Sequence, residues 1–429
     1  MKKVHIIGGG TVSYIRSHLA LSAPAYGKTA KLIEGLCKGY SGNMEVITHL
    51  TRMAGGADNL ETNEDVLKLL ETLKQDSDTK IIFMNASLCD FHASLDGVRG
   101  KKEKRLQTRN KSEWKSPLRL HPAEKIIGKI RDTRKDIFLV GFKQTFNSSL
   151  DEQYIAGLNL LKESSCNLVL ANDTGTRMNM VITPEEARYH VTQDRYEAIK
   201  GLVEMAYLRS HLTFTRSTVV AGESVAWDSA LVPTSLRAVV NHCIERGAYK
   251  PFRGATVGHF AVKVDDNTFL TSKRKTNFND LESVGLVMVK TDGPDSVIAF
   301  GSKPSVGGQS QRIVFHEHRD YDCIVHFHCP IKENSLVPQV SQREYECGSH
   351  ECGMNTSRGL KKFNNLSAVY LKEHGPNIVF NRSIDPQEVI DFIEWNFDLS
   401  GKTGGAVSVS QTSNNAIDYL VNYAKREML

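Results

Sequence analysis

Ile324-Val325-His326-Phe327-His328-Cys329-Pro330 is the stretch that decides how the second half of the chain folds. Tyr321, Cys323, Ile324, Val325 and Phe327 favour a short β-strand, and Pro330 stops it. Residues two apart on a strand share a face, so His326 and His328 project together. Such a pair at a strand end is either two hydrogen-bonded core histidines or half of a divalent-metal site.

A second apolar strand, Ala368-Val369-Tyr370-Leu371-Lys372-Glu373-His374-Gly375-Pro376, ends in a turn that carries a third histidine, His374. A strand-end HxH followed by a His-Gly after another strand resembles the metal site of the class II aldolase/adducin family, over roughly residues 225 to 400. The resemblance implies an α/β/α domain on a mainly antiparallel sheet, with Zn2+ (or Mn2+ or Fe2+) held by His326, His328 and His374. It also implies a homo-oligomer, usually a tetramer, acting on a small phosphorylated or carboxylated hydroxy-carbonyl substrate. The family's phosphate loops correspond here to Gly258-His259, to Thr271-Ser272-Lys273-Arg274 and to Pro304-Ser305-Val306-Gly307, with Ser272, Lys273 and Ser305 as candidate substrate contacts. Ordinary turn residues are the other reading of these loops.

The same resemblance implies a glutamate as general acid/base, and its place falls on Gly307, which cannot transfer a proton. Glu317 and Glu351 are the candidate replacements, and a metal-bound hydroxide is a further source of base. Tyr345, Tyr419 and Tyr423 are candidates for the family's product-protonating tyrosine, or are surface and core tyrosines.

At 429 residues the chain exceeds one ordinary core, so two domains are expected. Hydrophobic content of 40% with charged content of 24% suits a soluble globular protein. No apolar run approaches the roughly 20 residues that span a bilayer. Met1-Lys2-Lys3-Val4-His5-Ile6-Ile7-Gly8 has too short an apolar part for a signal sequence and reads as a first strand. A cytoplasmic location without a membrane partner is therefore expected. Eight unevenly spaced cysteines make no disulfide framework. Cys347, His350 and Cys352, with Cys329 upstream, fit no common zinc spacing.

The net charge of +5 is uneven: Val98 to Arg119 holds nine Lys/Arg against Glu103 and Glu113. Such a loop closes over nucleotide phosphates, is merely solvated, or holds nucleic acid. With Trp114 as its only aromatic, nucleic acid is the weakest of the three.

In the first half, Val4-His5-Ile6-Ile7 runs into Gly8-Gly9-Gly10-Thr11, a buried strand meeting a glycine turn whose N–H groups are suited to a phosphate. Gly27-Lys28-Thr29 imitates the end of a P-loop, but Ser22 stands where the first glycine is needed. Strands at Met44–Thr48, Ile81–Ala86, Ile137–Phe142 and Leu168–Asp173 alternate with helical stretches at Asp65–Lys74 and Leu150–Lys162. This pattern predicts a doubly wound, Rossmann-like parallel sheet with functional groups at the C-terminal strand ends.

Those strand ends resemble phosphopantothenoylcysteine synthetase, over residues 1 to about 205. The carrying residues are the Gly-Gly-Thr turn, Arg16, Gly27-Lys28, Ala86-Ser87-x-x-Asp90, the lysine-rich loop, Val140-Gly141-Phe142 and Leu170-Ala171-Asn172-Asp173. The resemblance implies a CTP or ATP site that activates a carboxylate as an acyl-nucleotide for attack by an amine. Carried over residue by residue, it assigns nucleotide binding to Gly9, Gly10, Thr11, Lys28, Ala86, Lys101, Lys102, Gly141, Phe142, Asn172 and Asp173, with Lys104 on the same loop. The family's asparagine before Ser-Ser-Gly-Lys has no counterpart in Ser22 to Tyr26, and Gln144 stands near its acid position. Asn172 and Asp173 alternatively close a turn on their own backbone.

Around Thr213 to Ser229 the periodicity is lost, so the domains are expected at 1–215 and 229–429, joined by a linker at 216–228. A helix from Ser235 to Arg246 and strands at Thr256–Val264, Thr268–Ser272, Leu286–Lys290 and Ser296–Phe300 follow. Asp385 and Pro386 open a further helix, and Ala416 to Met428 reads as a final one. Two enzymatic functions result, beside a binding protein without catalysis that uses the basic loop for nucleic acid. One is a fused enzyme whose second half is a metal-dependent lyase. The other is an active phosphopantothenate–cysteine ligase-like enzyme whose second half is a structural, oligomerising domain.

Overall fold

The computed structural model describes residues 1–40, 44–56, 59–106, 117–306 and 308–403. Gly307, Tyr419, Tyr423, Trp114 and the expected final helix lie outside the described residues. The described residues divide into two compact units, one built on Met1–Pro184 with Tyr189–Ser210, the other on residues 211–403 with the short segment Glu185–Arg188. Among the described residues no helix is long and apolar enough to cross a membrane.

The first unit is a seven-stranded sheet in the order Arg188–Thr192, Asn179–Ile182, Leu168–Asp173, Phe138–Thr145, Thr79–Ser87, Lys2–Gly10, Met44–Leu50. The last five run parallel, and Asn179–Ile182 is antiparallel to Leu168–Asp173. Parallel strands are covered on both faces, which is why Ile81, Ile82 and Phe83 read as an unbroken apolar run and are fully buried. Each such side chain contributes about 1.5–3 kcal/mol of transfer free energy. The helices Asn63–Gln75 and Leu150–Ser164 begin with reciprocal caps, Thr62 with Asp65 and Ser149 with Glu152. Gly8 lets the helix Lys28–Tyr40 press onto the first strand, since a Cβ there would stand 2.2 Å from that of Ala30. The helix Arg195–Ser210 is buried on nearly every side and so carries no amphipathic period for sequence reading to find.

The second unit is a ten-stranded mixed sheet. Its main path is Arg216–Val220, Ser296–Phe300, Val287–Thr291, Thr268–Thr271, His259–Lys263, Cys323–His326, Gly375–Phe380, Leu366–Leu371, Gln339–Val340. The two edge pairings are parallel and the central ones antiparallel. Arg216–Val220 is an edge strand exposed at every residue, so the stretch expected to be linker carries no burial pattern. Phe260, Val325, Phe327 and Ile378 pack on one face with Leu236, Val239 and Val240 of the helix Thr234–Glu245 and Val389 and Ile393 of the helix Pro386–Asn396. Ala261, Ile324 and Val379 pack on the other, with Val314 and Phe315 of the helix Gly308–Glu317. Alternation along Cys323–His326 thus gives His326 the same face as Ile324.

Candidate metal centre and nucleotide crevice

His326 ends its strand between His259 and Asn377, its direct cross-strand neighbours. His328 follows two residues on, and His374 enters from the turn between Leu366–Leu371 and Gly375–Phe380. That turn needs Gly375: its φ is +145°, and a Cβ would lie 2.1 Å from the Phe327 carbonyl oxygen. Thr403 ties the two histidine loops together, its hydroxyl donating to His374 O (2.8 Å) and its N–H to His328 O (3.2 Å).

All three side chains are buried, and one ligand atom from each lies within 4.8 Å of the others. The carbonyl of Pro376 can only accept, so at 2.7 Å it fixes the proton of His326 on Nδ1 and leaves Nε2 as the lone pair. This Nε2 stands 3.2 Å from His374 Nε2. Burial holds His326 neutral, with its pKa pushed down to about 4. Three buried imidazoles with converging nitrogens and a carbonyl orienting one of them fit a divalent ion that accepts nitrogen ligands. They are the one such group of three among the described residues.

Ser272, Lys273 and Ser305 come together at the end of Thr268–Thr271, beside the strand His259–Lys263. Lys273 bridges to Pro304, the Ser305 N–H donates to Ser272 O (2.9 Å), and the Ser272 N–H donates to Phe260 O (3.2 Å). Lys273 Nζ, however, is held by Ser224 Oγ and the Val284 carbonyl. Glu317 ends its helix on the surface, in contact with His316. It lies six residues, about 9 Å, beyond Gln311 along the helix. Glu351 accepts the Thr213 N–H through both oxygens (3.1 and 3.0 Å). Tyr345 is half-buried, its backbone closing a turn with Gln342. Among the described residues Glu317 and Glu351 show no contact with the histidines. Cys329 and Cys352 are buried and hydrogen-bonded to Ala248 O and Gln342 Nε2 respectively.

His259, read from sequence as part of an anion loop, is buried against His326 with ring centroids 4.7 Å apart and is bonded to Gln311 at 2.7 Å. Burial first, then the proximity of His326, holds it well below the usual histidine range. Gln311, Asn377 and Thr403 carry no sequence signal, because strand register and helix packing bring them to the histidines.

In the first unit the sheet reverses its order at Lys2–Gly10, which has Met44–Leu50 on one side and Thr79–Ser87 on the other. The crevice of such a sheet lies at these C-terminal ends, where Gly9 stands opposite Ala86 and Gly10 opposite Ser87. The N–H groups of Gly10 and Thr11 donate to Ala25 O (2.8 Å) and Ser87 O (3.0 Å), so these two are turned into the protein rather than toward a phosphate. The glycines answer to packing: a Cβ at Gly9 or Gly10 would lie 2.1 Å from Thr51 Oγ1 or Ala23 O. Thr11 donates its hydroxyl to Asn63 Oδ1 (2.7 Å), and that hydroxyl receives the Cys89 N–H (3.0 Å).

Lys28 is exposed at the first turn of its helix, Gly141 is buried, and Phe142 and Asn172 are half-buried. Asp173 is spent on its own turn. Burial pushes its carboxyl up, but N–H donors from Ser148 and Thr176 and the hydroxyls of Thr145 and Thr176 outweigh that and hold it well below the usual carboxylate range. Lys101, Lys102 and Lys104 are exposed, and Lys101 is paired with Glu61.

Residues 240–332 match the Class II Aldolase and Adducin N-terminal domain family, a span that contains His326 and His328 but ends before His374. A coenzyme A biosynthesis bifunctional protein of Thermococcus kodakarensis is 24% identical over 174 residues, 40% of this chain and 41% of that protein. The match thus spans about two fifths of the length of this curated relative. A DNA/pantothenate metabolism flavoprotein structure from Streptococcus pneumoniae aligns with 47% of this chain and 96% of its own, at 17% identity and a TM-score of 0.37. An L-fuculose 1-phosphate aldolase structure aligns with 38% of this chain and 81% of its own, at 15% identity and a TM-score of 0.29. The first half of the chain resembles the phosphopantothenoylcysteine synthetase family, and the second half resembles the class II aldolase family.

Proposed function

We propose that the chain is a ligase-like enzyme whose first half uses CTP or ATP to join a carboxylate to an amine, as in phosphopantothenate–cysteine ligation. The carboxylate displaces pyrophosphate from the nucleotide, and the amine then displaces the nucleoside monophosphate to leave an amide. The observation that carries this reading is the crevice at Gly10 and Ser87 with cations around it. Lys28 follows the loop whose Ala25 carbonyl accepts from Gly10, and Lys101 pairs with Glu61, whose own carbonyl accepts the Val12 N–H at 3.0 Å. The candidate nucleotide contacts remain Lys28, Ala86, Lys101, Lys102, Phe142 and Asn172, while Gly9, Gly10, Thr11, Gly141 and Asp173 build the walls. Calorimetric titration of the whole protein with CTP and with ATP tests the site. Saturable binding weakened by Lys28→Ala is expected, and binding of neither nucleotide would refute it.

In this reading the second half holds a divalent ion at His326, His328 and His374 and serves as a structural, oligomerising unit. Glu317 and Glu351 are engaged elsewhere, and the place of the family glutamate falls on Gly307. The convergence of the three histidines favours a second reading, a metal-dependent lyase acting on a small phosphorylated hydroxy-carbonyl compound. There the ion would polarise the substrate carbonyl, and Ser272 and Ser305 would orient the substrate. Gly307→Glu separates the two: a large gain of aldol cleavage supports the lyase ancestry of a now silent site, whereas substantial cleavage by the unmodified protein supports the second reading.

A further inference from the structure

Glu61 is a carboxylate surrounded by groups suited to a phosphate. Tyr14 donates its hydroxyl to Glu61 Oε1 (2.7 Å), Arg52 approaches the same oxygen (3.3 Å), and Lys101 Nζ meets Oε2 while lying 4.9 Å from the centre of the Tyr14 ring. The Glu61 side chain is 12% exposed, while those of Arg52 and Lys101 are 53% and 54% exposed. The cradle stands at the crevice. Arg52 follows Thr51, whose N–H donates to Gly8 O (2.9 Å), and Glu61 O accepts from Val12. The Lys101 loop is also anchored there by its backbone, with the Gly100 N–H on Ile15 O and the Ser17 N–H on Glu103 O.

We propose that Glu61 is a resident anion that parks Lys101 and Arg52 at the crevice, and that the phosphates of a nucleoside triphosphate take its place on these two cations. The proposal rests on the nucleotide-site reading above and adds Arg52 and Glu61 to it. The cations are half-exposed, so their attraction to Glu61 is screened by salt, and a polyanion carrying several charges competes with a single carboxylate for them. The backbone anchors leave the loop in place, so the exchange moves side chains and the cations are pre-positioned before nucleotide arrives. Tyr14 keeps its place in either state, because its hydroxyl can donate to Glu61 or to a phosphate oxygen.

The test uses the full chain and Glu61→Gln, which preserves shape and an acceptor for Tyr14. CTP and ATP are titrated calorimetrically, and Lys101 acetylation by a small acylating reagent is followed by mass spectrometry against Lys102 as internal reference. Glu61→Gln is expected to bind nucleotide about five- to tenfold more tightly, a typical size for such coupling. It should also acetylate Lys101 faster, and bound nucleotide should restore protection. Arg52→Gln is expected to weaken binding. Nucleotide binding by the wild type with no gain in Glu61→Gln would overturn the parking role alone. Absence of nucleotide binding in every variant, each melting like the wild type, would overturn the nucleotide reading and this proposal with it.

Discussion

His326 Nε2 and His374 Nε2 face each other across 3.2 Å, with the proton of His326 held on its far side by the Pro376 carbonyl. Two such nitrogens repel unless a proton or a cation lies between them. The arrangement therefore calls for a proton or an ion between them, and the strand ladder presets it.

Removing the ligands should show this directly. The wild-type protein is expected to hold about one divalent ion per chain, and the His326→Ala/His328→Ala protein none, measured by elemental analysis after dialysis. Chelation should lower the unfolding temperature of the second unit, since ion at a hundred times its dissociation constant contributes about 2.7 kcal/mol. Equal metal content in the two proteins would contradict the site.

Gly375→Ala should be more damaging than its size suggests. Its φ of +145° and the 2.1 Å approach to Phe327 O mean that the turn must open, carrying His374 away from His326. A loss of about 2 kcal/mol or more in stability is expected from strain of this kind, together with weakened metal binding. Urea unfolding followed by zinc titration reads both, and unchanged values for each would show that the turn is not strained.

Acid should destabilise the first unit through His5. Burial first, and the proximity of His49 second, lower its pKa to about 4, and Nδ1 lies 3.0 Å from His49 Nε2. An unfolded histidine takes up a proton near pH 6.5, whereas the folded one does not until about 4, so stability falls as pH drops through that window. His5→Asn should flatten the dependence of the denaturation midpoint on pH between 6.5 and 4. An unchanged slope would assign the acid sensitivity to other groups.

Neutralising Lys101, Lys102 and Lys104 together to Gln is expected to weaken CTP or ATP binding by about tenfold, as loss of several phosphate-facing charges does. Fluorescence competition at fixed ionic strength measures this, and an unaltered affinity would reduce the loop to a solvated surface segment.

Much of both folds was legible because apolar runs and their ends obey simple periods. Leu168–Asp173 and Ser296–Phe300 have the bounds that their residues suggest, and Asp385 caps its helix through the Gln387 N–H with Pro386 following. The approach of His326 and His328, with ring centroids 5.1 Å apart, agrees with the alternation expected of their run, although the strand itself ends at His326. What stayed hidden depends on contacts between distant segments. The inward-turned N–H groups of Gly10 and Thr11, the His259–Gln311 pair and the engagement of Glu351 with Thr213 arise from segments far apart in sequence meeting in space. The exposed edge strand Arg216–Val220 looked like a linker because neither of its faces is buried.

The most direct test of the ligase account is turnover by the whole protein, given CTP or ATP, magnesium, 4′-phosphopantothenate and cysteine, with pyrophosphate and amide both quantified. Pyrophosphate and amide formed in equal amounts, dependent on nucleotide and lost in Lys28→Ala, are predicted. Saturating nucleotide with neither product, across both nucleotides, would contradict the central claim.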